Sequence, residues 1–364
     1  MQRRVARLLK DHEDKKSIDL MRAVFVEQKM DKQHIFNRDF WSWQNKGHPL
    51  KNSSIWVVED DNGMEIIGQY INWPVLIKIN DRELLGGITI DLLIDALHRS
   101  KGLFSVLGEQ AKMDLDSVGM HFQITFPRRE HVHNSFMKKL KWIKIGKLPF
   151  LVKMLLVERL QHRICSIFAS RQLSGVKDSI RQPHNDKSHS GKTITFKILD
   201  TLPEDIDNVW DIAKNEHQIA VVRDRKYLEW RYFLKPNGGY SVIAVYNDNV
   251  LGGIIVLKIK KMFSLAIGFI VDILCAPDDE LIMALLRRAI EEFQQNRITI
   301  CGCVMTKNNR YYRSLLDCGF VCVPDVINPR TYTLDAYIAS DSVDGKAFLN
   351  LDNWFITLGD WDLI

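Results

Sequence analysis

The sequence predicts an α/β protein built from two similar halves, each a mixed central sheet flanked by helices. Apolar runs rich in β-branched residues alternate with segments whose apolar residues recur at helical spacing. The order of these segments in the first half recurs in the second half, which is typical of a duplicated domain. A chain of 364 residues is long enough for two such domains.

The predicted boundaries place a first domain at residues 1–170, a linker at 171–192 and a second domain at 193–364. The linker is rich in Ser, Lys, Asp and His and has no sustained apolar period. Residues 151–170, LVKMLLVERLQHRICSIFAS, carry an apolar stripe at helical spacing that Lys, Glu and Arg interrupt. This pattern predicts an amphipathic connecting helix there rather than a membrane anchor.

The elements follow the same order in both halves. VARLLKDHEDKKSIDLMRAVF and ITFKILDTLPEDIDNVWDIAKN each predict a short strand, a turn and a helix. In the first half, the strand ITIDLLID then precedes a helix over 103–115, the strand GMHFQITFP and the helix HNSFMKKL. In the second half, the strand FIVDILCA precedes a helix over 280–295, the strand ITICGCVM and the helix NNRYYRSLL. Strands that alternate with helices predict a sheet with helices packed on it.

Matching residues support the duplication. Trp43 aligns with Trp230, and the proline that follows each tryptophan lies at the same distance from it in both halves. GITIDLLIDA aligns without a gap with GFIVDILCAP, so that Asp91 corresponds to Asp272. Because these matches occur in the same order along both halves, we predict two tandem domains of one fold.

Composition and charge are those of an ordinary globular protein. The chain is 46% hydrophobic and 26% charged, with a formal net charge of +5. Its Lys and Arg residues are not concentrated on one face with aromatic residues between them, which argues against a nucleic-acid partner. No apolar run reaches the ~18 residues of a membrane span, and the N-terminus lacks the apolar core of a signal peptide, so we expect a cytoplasmic protein.

The six cysteines are predicted to be buried free thiols in a reducing compartment. None forms a CxxC pair, and most lie in apolar runs such as ITICGCVM. The same spacing argues against a metal site. They are Cys165, Cys275, Cys301, Cys303, Cys318 and Cys322.

A basic segment lies between the strand DLLIDAL and the helix LFSVLGEQAKM. Called the anion loop below, it runs Arg99, Ser100, Lys101, Gly102, Leu103, Phe104. The N-terminus of a helix presents unpaired N–H groups and a partial positive charge, which suit a phosphate. Gly102 allows the backbone to approach an anion closely, and Arg99 adds bidentate hydrogen-bonding geometry. The segment therefore predicts a pyrophosphate site, although a solvated basic helix start would have the same local sequence.

The anion loop resembles the R/Q-x-x-G-x-G/A signature of the GNAT superfamily of acyl-CoA-dependent N-acyltransferases, which follows the fourth strand and holds the CoA pyrophosphate. Phe104 stands where the family has its last small residue. A later family pattern, N-x-x-[AY]-x-x-[LF]-x-x-x-G-[FW], resembles NNRYYRSLLDCGF in the second half. It is looser in NSFMKKLKW of the first half, where Lys141 replaces the glycine. The resemblance covers nearly the whole chain as a tandem pair, similar to proteins of bacterial surface-polysaccharide systems.

The resemblance implies acetyl-CoA as the cosubstrate and direct attack by a primary amine, such as that of an amino sugar, without a metal. The end of the fourth strand, Leu92, Leu93 and Ile94, would pair with the pantetheine arm of CoA. Asp91 occupies the family's position for a carboxylate base that takes the proton from the ammonium nucleophile, and Glu59 is a second candidate. Each has a structural alternative, a strand residue bonded to a loop for Asp91 and a solvated strand end for Glu59.

The family's tyrosine, which can protonate the leaving thiolate, has no match in the helix HNSFMKKL of the first half. Tyr70, or Tyr311 or Tyr312 reaching across from the second half, are candidates to replace it. His121, on the predicted fifth strand, lies beside the family's acyl site. All four have core or surface packing as the alternative interpretation.

The second half departs from the signature in the segment that corresponds to the start of the anion loop. The three residues that end at Arg99 in the first half align with Asp278, Asp279 and Glu280 in the second half. Three carboxylates at a helix start would repel a pyrophosphate or would cap the helix themselves. We therefore expect one CoA per chain, bound by the first half, and an acceptor-binding or structural role for the second half. Two other functions stay open, a Fem-type aminoacyl transferase supplied by tRNA and a non-catalytic sensor of acyl-CoA.

Overall fold

The computed structural model describes residues 4–27, 38–127, 130–155, 193–262, 265–324 and 332–361. The predicted linker, residues 156–170 before it and Cys165 lie outside these residues. Up to residue 155 the elements are β1 (Arg7–Leu8), α1 (Asp14–Glu27), α2 (Arg38–Asn45), β2 (Ser54–Glu59), β3 (Ile66–Ile79), β4 (Arg82–Ile94), α3 (Leu103–Met113), β5 (Phe122–Thr125), α4 (Glu130–Leu140), β6 (Ile143–Lys147) and β7 (Phe150–Met154). From residue 193 they are β8 (Ile194–Leu199), α5 (Ile206–Ala213), β9 (Ile219–Val221), α6 (Arg225–Leu228), β10 (Tyr240–Asn247), β11 (Val250–Met262), β12 (Leu265–Cys275), α7 (Asp279–Gln295), β13 (Ile300–Val304), α8 (Arg310–Asp317), β14 (Val321–Cys322), β15 (Thr333–Ile338), α9 (Gly345–Phe348) and β16 (Trp354–Phe355).

Two open mixed sheets with the same strand order form the centre of the fold. The first runs β1-β2-β3-β4-β5-β15-β6 and the second β8-β10-β11-β12-β13-β7-β14, with β9 and β16 added to the first sheet beside β3. In each path the fourth and fifth strands are parallel, and the other neighbours are antiparallel. The predicted fold class, two sheets flanked by helices, is confirmed. The predicted helices over 103–115 and 280–295 correspond to α3 and α7.

Each sheet takes its sixth strand from the other half of the chain. β15, which lies near the C-terminus, pairs with β5 and β6 of the first sheet. β7, which precedes the predicted linker, pairs with β13 and β14 of the second sheet. An antiparallel ladder satisfies the backbone N–H and C=O groups that an edge strand would leave unpaired. The halves are therefore joined by backbone hydrogen bonds as well as by side-chain packing.

The prediction of a helix from residue 151 is wrong for the residues that the structure describes there, because Phe150–Met154 is the strand β7. Burial alternates along this strand, with Leu151 and Lys153 buried and their neighbours more exposed. A short apolar run fits both a helical period and an alternation. The partner strands β13 and β14 decide between them, since a strand is stabilised by its neighbours in the sheet more than by its own propensity.

The first sheet is covered differently on its two faces. α3 and α4 pack on one face, where Leu107, Ala111, Phe136 and Leu140 are buried together with Tyr70. α1 and α2 contribute to the other core, which is continuous with the core of the second half. Side chains that alternate along β3 and β4 therefore point either to the α3/α4 face or to the interface between the halves.

Trp43 and Trp230, which align in the sequence, contact each other between the halves. Their indole rings stack with centroids 4.9 Å apart and an interplanar angle of 15°. Trp43 Nε1 donates to the carbonyl of Trp230 at 2.9 Å, and Trp230 Nε1 donates to the carbonyl of Trp43 at 3.1 Å. Equivalent residues that bond each other reciprocally mark a local two-fold axis, as in an isologous dimer interface.

No described helix is long and apolar enough to cross a membrane. The five described cysteines are free thiols, of which Cys275, Cys301 and Cys303 are buried as predicted. Cys318 is half-buried. Cys322 is exposed, contrary to the prediction, because β14 is an edge strand that pairs only with β7.

Replacing either Trp43 or Trp230 by phenylalanine is predicted to lower the free energy of unfolding by about 1–3 kcal/mol, because a buried carbonyl loses its donor. Urea unfolding followed by circular dichroism measures the change. Trp142→Phe is the matched control, since Trp142 is similarly buried and its Nε1 makes no hydrogen bond within the described residues. Equal losses from Trp43→Phe and Trp142→Phe would contradict the prediction.

Candidate functional site

β4 and β5 are paired over only part of their length. Parallel pairing joins Gly87 to Gln123 and Ile88 to Ile124, and β4 then continues as far as Ile94. Beyond Ile88, the edge of β4 has no β5 partner within the described residues, and this gap is called the opening below. An extended ligand that carries amide groups can hydrogen-bond to such a strand edge.

Asp91 lies at a β-bulge beside the opening. Asp91 and Leu92 together oppose Tyr70 on β3, and Asp91 has a φ of +41°, which is uncommon for a residue other than glycine. Gln44 Nε2 on α2 donates to Asp91 Oδ2 at 2.9 Å, so the carboxylate is directed to the face that the two halves share. The β4 residues predicted to meet the pantetheine arm follow directly: Leu92, Leu93 and Ile94.

The anion loop forms an uncapped helix N-terminus. α3 begins at Leu103, and Gly102 is its N-cap with a φ of +81°. No side chain caps the helix there, and a Cβ on Gly102 would meet no atom within 4 Å apart from its chain neighbours. The first N–H groups of α3 are thus sterically accessible near the end of β4, where they can bind an anion.

Arg99, the guanidinium of the loop, pairs with Glu27 at the end of α1. Arg99 Nη1 lies 2.7 Å from Glu27 Oε1, and Nη2 contacts Oε2. Arg99 Nε donates to the carbonyl of Ile94 at 3.3 Å. The hydrogen bonds that Arg99 donates to Glu27 raise the pKa of Arg99. Because a guanidinium has five N–H donors, Arg99 can keep a contact with Glu27 while it donates to an anion.

The other residues of the loop divide between core and solvent. Leu103 is buried, and the ring of Phe104 meets that of Phe136 on α4 edge-on, with centroids 5.4 Å apart. Phe104 therefore fills space between α3 and α4, which accounts for its size where the GNAT signature has a small residue. Ser100 and Lys101 are exposed.

Glu59, the second candidate base, belongs to an ion-pair cluster. Arg7 Nη2 lies 2.6 Å from Glu59 Oε1 and 2.7 Å from Glu13 Oε1, and Lys16 Nζ lies 3.7 Å from Glu59 Oε1. The hydrogen bond from Arg7 lowers the pKa of Glu13 to about 2. Glu59 is thus engaged by the cations Arg7 and Lys16, whereas Gln44 Nε2 donates to Asp91 beside the opening. A role as proton acceptor stays a prediction for both carboxylates.

The tyrosine candidates lie in buried surroundings. Tyr70 is buried on the α3/α4 face with its hydroxyl 2.9 Å from Thr89 Oγ1, and burial raises its pKa. Tyr311 is buried in the second half, where its hydroxyl donates to the carbonyl of Cys275 at 3.0 Å. Tyr312 is half-buried on α8. A role in proton transfer for any of them stays a prediction.

The histidines near β4 and β5 form no metal centre. His121 precedes β5 at the end where the strands are paired, and its backbone N–H donates to the carbonyl of Leu85 at 2.9 Å. His98 Nδ1 lies 2.9 Å from Asp95 Oδ1 in the turn before the anion loop. Across the described part of the chain, no group of three or more His, Cys, Asp or Glu side chains could hold a metal ion.

The gap between β12 and β13, which corresponds to the opening, is occupied by the C-terminal segment of the chain. Thr357 bridges the two strands, since its hydroxyl donates to Asp272 Oδ1 at 3.0 Å and its backbone forms a bridge with Met305, just after β13. Arg223 Nε lies 3.1 Å from Asp272 Oδ1, and Arg223 Nη2 lies 2.8 Å from Asp360 Oδ1. All three side chains are buried. The counterpart of Asp91 is thus part of a closed ionic cluster.

The helix that follows β12 is capped by a carboxylate. Asp278 Oδ1 accepts hydrogen bonds from the backbone N–H of Glu280 at 2.9 Å and of Leu281 at 3.3 Å. Asp279 Oδ1 pairs with Arg310 Nη1 at 2.9 Å. Of the three carboxylates predicted to cap the helix, Asp278 is confirmed as the cap, whereas Asp279 forms an ion pair. The N–H groups that would receive a phosphate already have an anionic partner.

No family model and no curated protein matches the chain. A probable N-acyltransferase of unknown function from Enterococcus faecalis V583 superposes with a TM-score of 0.61 at 11% identity, over 93% of this chain and 73% of that one. The N-myristoyltransferase of Saccharomyces cerevisiae, solved with bound myristoyl-CoA, gives 0.57 at 11% identity, over 93% and 83%. A GCN5-related N-acetyltransferase from Anabaena variabilis gives 0.60 at 9% identity, over 93% and 73%. The fold is that of the GNAT-like N-acyltransferases.

The fold brings together polar residues that no sequence motif indicates. Gln44 orients Asp91, and Glu27 pairs with Arg99. Thr125 Oγ1 donates to the Thr89 carbonyl at 3.2 Å where the opening begins. No local signal marks these residues, because each is a common polar residue whose partner is distant along the chain.

Asp278→Ala is predicted to lower the free energy of unfolding by about 0.5–2 kcal/mol, because two N–H groups at the start of α7 lose their acceptor. Asp278→Asn should retain most of the stability, since Asn is an equally good N-cap. Asp279→Ala is the control, because it removes only an exposed ion pair. Thermal and urea unfolding measure all three, and wild-type stability in Asp278→Ala would refute the capping role.

Proposed function

We propose that the chain is an acyl-CoA-dependent N-acyltransferase that transfers the acetyl group of acetyl-CoA to a primary amine, such as that of an amino sugar. The observation that carries the proposal is the position of the opening and the anion loop at the end of the same strand, β4. CoA combines a pyrophosphate with an extended arm that carries amide groups. The anion loop suits the pyrophosphate, and the edge of β4 at the opening suits the amide-bearing arm.

The pyrophosphate is assigned to the N-terminus of α3. Gly102 leaves the approach to the first N–H groups unobstructed, and the helix dipole favours negative charge there. Arg99 and Lys101 supply cations on the same loop. The yeast N-myristoyltransferase that shares this fold was solved with myristoyl-CoA, which supports an acyl-CoA cosubstrate here.

Asp91 is assigned as the base that prepares the amine for attack. An ammonium must lose a proton before its nitrogen can attack the thioester carbon, and a carboxylate within hydrogen-bond reach can take it. Asp91 lies at the bulge beside the opening, and Gln44 directs its carboxylate to the face shared with the second half. The acceptor amine therefore enters from that face, with the second half as the opposite wall.

One CoA per chain is assigned, to the first half. In the second half Asp278 caps α7 and the C-terminal segment occupies the gap between β12 and β13. The buried cluster around Arg223 leaves Asp272 no access to an acceptor. The second half thus contributes a wall of the acceptor site and stability rather than a second active site.

Gly102→Asp is predicted to abolish binding of CoA, because it places a carboxylate where the pyrophosphate lies. Arg99→Ala should weaken binding by about 1–3 kcal/mol, the range for a hydrogen bond to a charged group. Isothermal titration calorimetry with CoA should give a stoichiometry of one for the wild type. A screen of amines with acetyl-CoA, measured by release of free thiol, then distinguishes an enzyme from a sensor.

Gly119→Asp is the matched control for Gly102→Asp. Gly119 also has a positive φ, +67°, and a Cβ on it would likewise meet no atom within 4 Å, but it lies beyond the other end of α3. The backbone strain of the two substitutions is therefore similar, and only the distance from the loop differs. Unchanged CoA affinity in folded Gly102→Asp would overturn the proposed function.

Asp91→Asn is predicted to lower turnover at least tenfold while CoA affinity stays close to that of the wild type, because a base is lost but the pyrophosphate site is not. The pH–rate profile should lose the limb that reports ionisation of the base. Asp95→Asn is the control, because Asp95 lies four residues further along and its side chain contacts His98. A fall in turnover of less than about tenfold would assign the base elsewhere.

A further inference from the structure

His133 and Asp335 form a close pair on the α3/α4 face of the first sheet. His133 Nδ1 lies 2.6 Å from Asp335 Oδ2, although the two residues are 202 positions apart in the sequence. His133 lies in the first turns of α4, and Asp335 lies on β15, the strand that the second half contributes. Asp335 is fully buried, whereas the side chain of His133 is 16% exposed.

Strand register places this pair level with the start of the opening. Asp335 is opposite Thr125 on β5, so their side chains share a face. Thr125 Oγ1 donates to the carbonyl of Thr89 at 3.2 Å, and Thr89 is the first β4 residue beyond the last pair with β5. The pair therefore flanks the opening on the β5 side, whereas Asp91 directs its carboxylate to the opposite face.

The surroundings of Asp335 support a positioning role towards the histidine. Burial raises the pKa of Asp335 to about 6, against the lowering effects of His133 and of Lys144 on β6. Glu130 lies one turn before His133 on α4. A carboxylate bonded to Nδ1–H orients the ring and stabilises an imidazolium. Nε2 of His133 makes no hydrogen bond to any described residue, so it is available to a ligand.

We propose that His133 donates a proton from Nε2 to the sulfur of CoA as the thioester is cleaved, with Asp335 as the positioning residue. The inference rests on the proposed function. It supplies the acid that the first half lacks, because α4 has no tyrosine and the Tyr70 hydroxyl is buried with Thr89 as its partner. The active site of the first half is then incomplete without β15 of the second half.

In the proposed step the amine nitrogen bonds to the acyl carbon and the carbon–sulfur bond breaks. The electron pair of that bond goes to sulfur, which takes the Nε2 proton. The attacking ammonium loses two protons in all, which Asp91 accepts in turn and releases to water. His133 regains one proton from water, so the net products are the amide, CoA and one released proton.

The first experiment measures the pKa of the CoA thiol in its complex with the protein, which needs no acceptor. Thiolate formation is followed by ultraviolet absorbance against pH, with the complex of desulfo-CoA as the blank. An imidazolium beside the sulfur should lower the thiol pKa by about 1–3 units relative to free CoA. In His133→Asn the thiol pKa should return to that of free CoA, and in Asp335→Asn the lowering should be smaller.

His133→Asn separates proton transfer from a structural role. The Asn amide can occupy the place of Nδ1 and keep the hydrogen bond to Asp335, but it has no counterpart of Nε2. His131→Gln is the control, because His131 is exposed on the same turn of α4. With an amine acceptor, kcat of His133→Asn should fall by about 10²–10⁴-fold while CoA affinity is retained.

The outcomes distinguish the two proposals. If the wild type binds no CoA, the proposed function fails, and this inference fails with it. If CoA binds but its thiol pKa equals that of free CoA, or is equally lowered in wild type and His133→Asn, the proton donor is not His133 and the proposed function stands. Equal effects of His131→Gln and His133→Asn would likewise overturn the inference.

Discussion

The exchange of one strand between the halves is the constraint on which the rest of the structure depends. β15 completes the first sheet and β7 completes the second, so each half alone would leave a strand edge without its ladder. The stacked and reciprocally bonded Trp43 and Trp230 lie 187 residues apart at equivalent positions in the halves. Backbone pairing and side-chain packing thus both impose the same local two-fold relation, which fixes how the faces of the two sheets meet.

Two sheets of the same order present different sites because their helix starts and gaps differ. In the first sheet Gly102 leaves the N-terminus of α3 uncapped, whereas Asp278 caps α7 in the second. The gap beyond the paired part of β12 and β13 holds Thr357 and the buried ionic cluster of Arg223. Among the described residues, no corresponding segment bridges β4 and β5 at the opening. A buried cluster of this kind is stable only while its charges remain paired, so it keeps the second gap closed.

The first site is assembled from three parts of the chain. The bulge of β4 provides Asp91, and α2 provides Gln44, which holds the carboxylate towards the face between the halves. The strand from the second half provides Asp335, which holds His133 on the other face. The opening between β4 and β5 therefore has a carboxylate on one side and an imidazole on the other. In the proposed reaction, this division would let Asp91 remove a proton from the acceptor and His133 deliver one to the leaving group without competing for the same proton.

The sequence by itself determined the elements whose signals are local. The repeat order, α3 and α7, the strand with Asp91 and the glycine at the start of α3 all follow from periodicity and from residue types at helix ends. Only the tertiary structure decided that residues 150–154 are a strand, because β13 and β14 supply the ladder. It also brought Gln44 to Asp91, Glu27 to Arg99 and His133 to Asp335 across 47, 72 and 202 residues. Periodicity states which face of an element is buried, but not which strand lies beside it, and these pairs depend on that choice of neighbour.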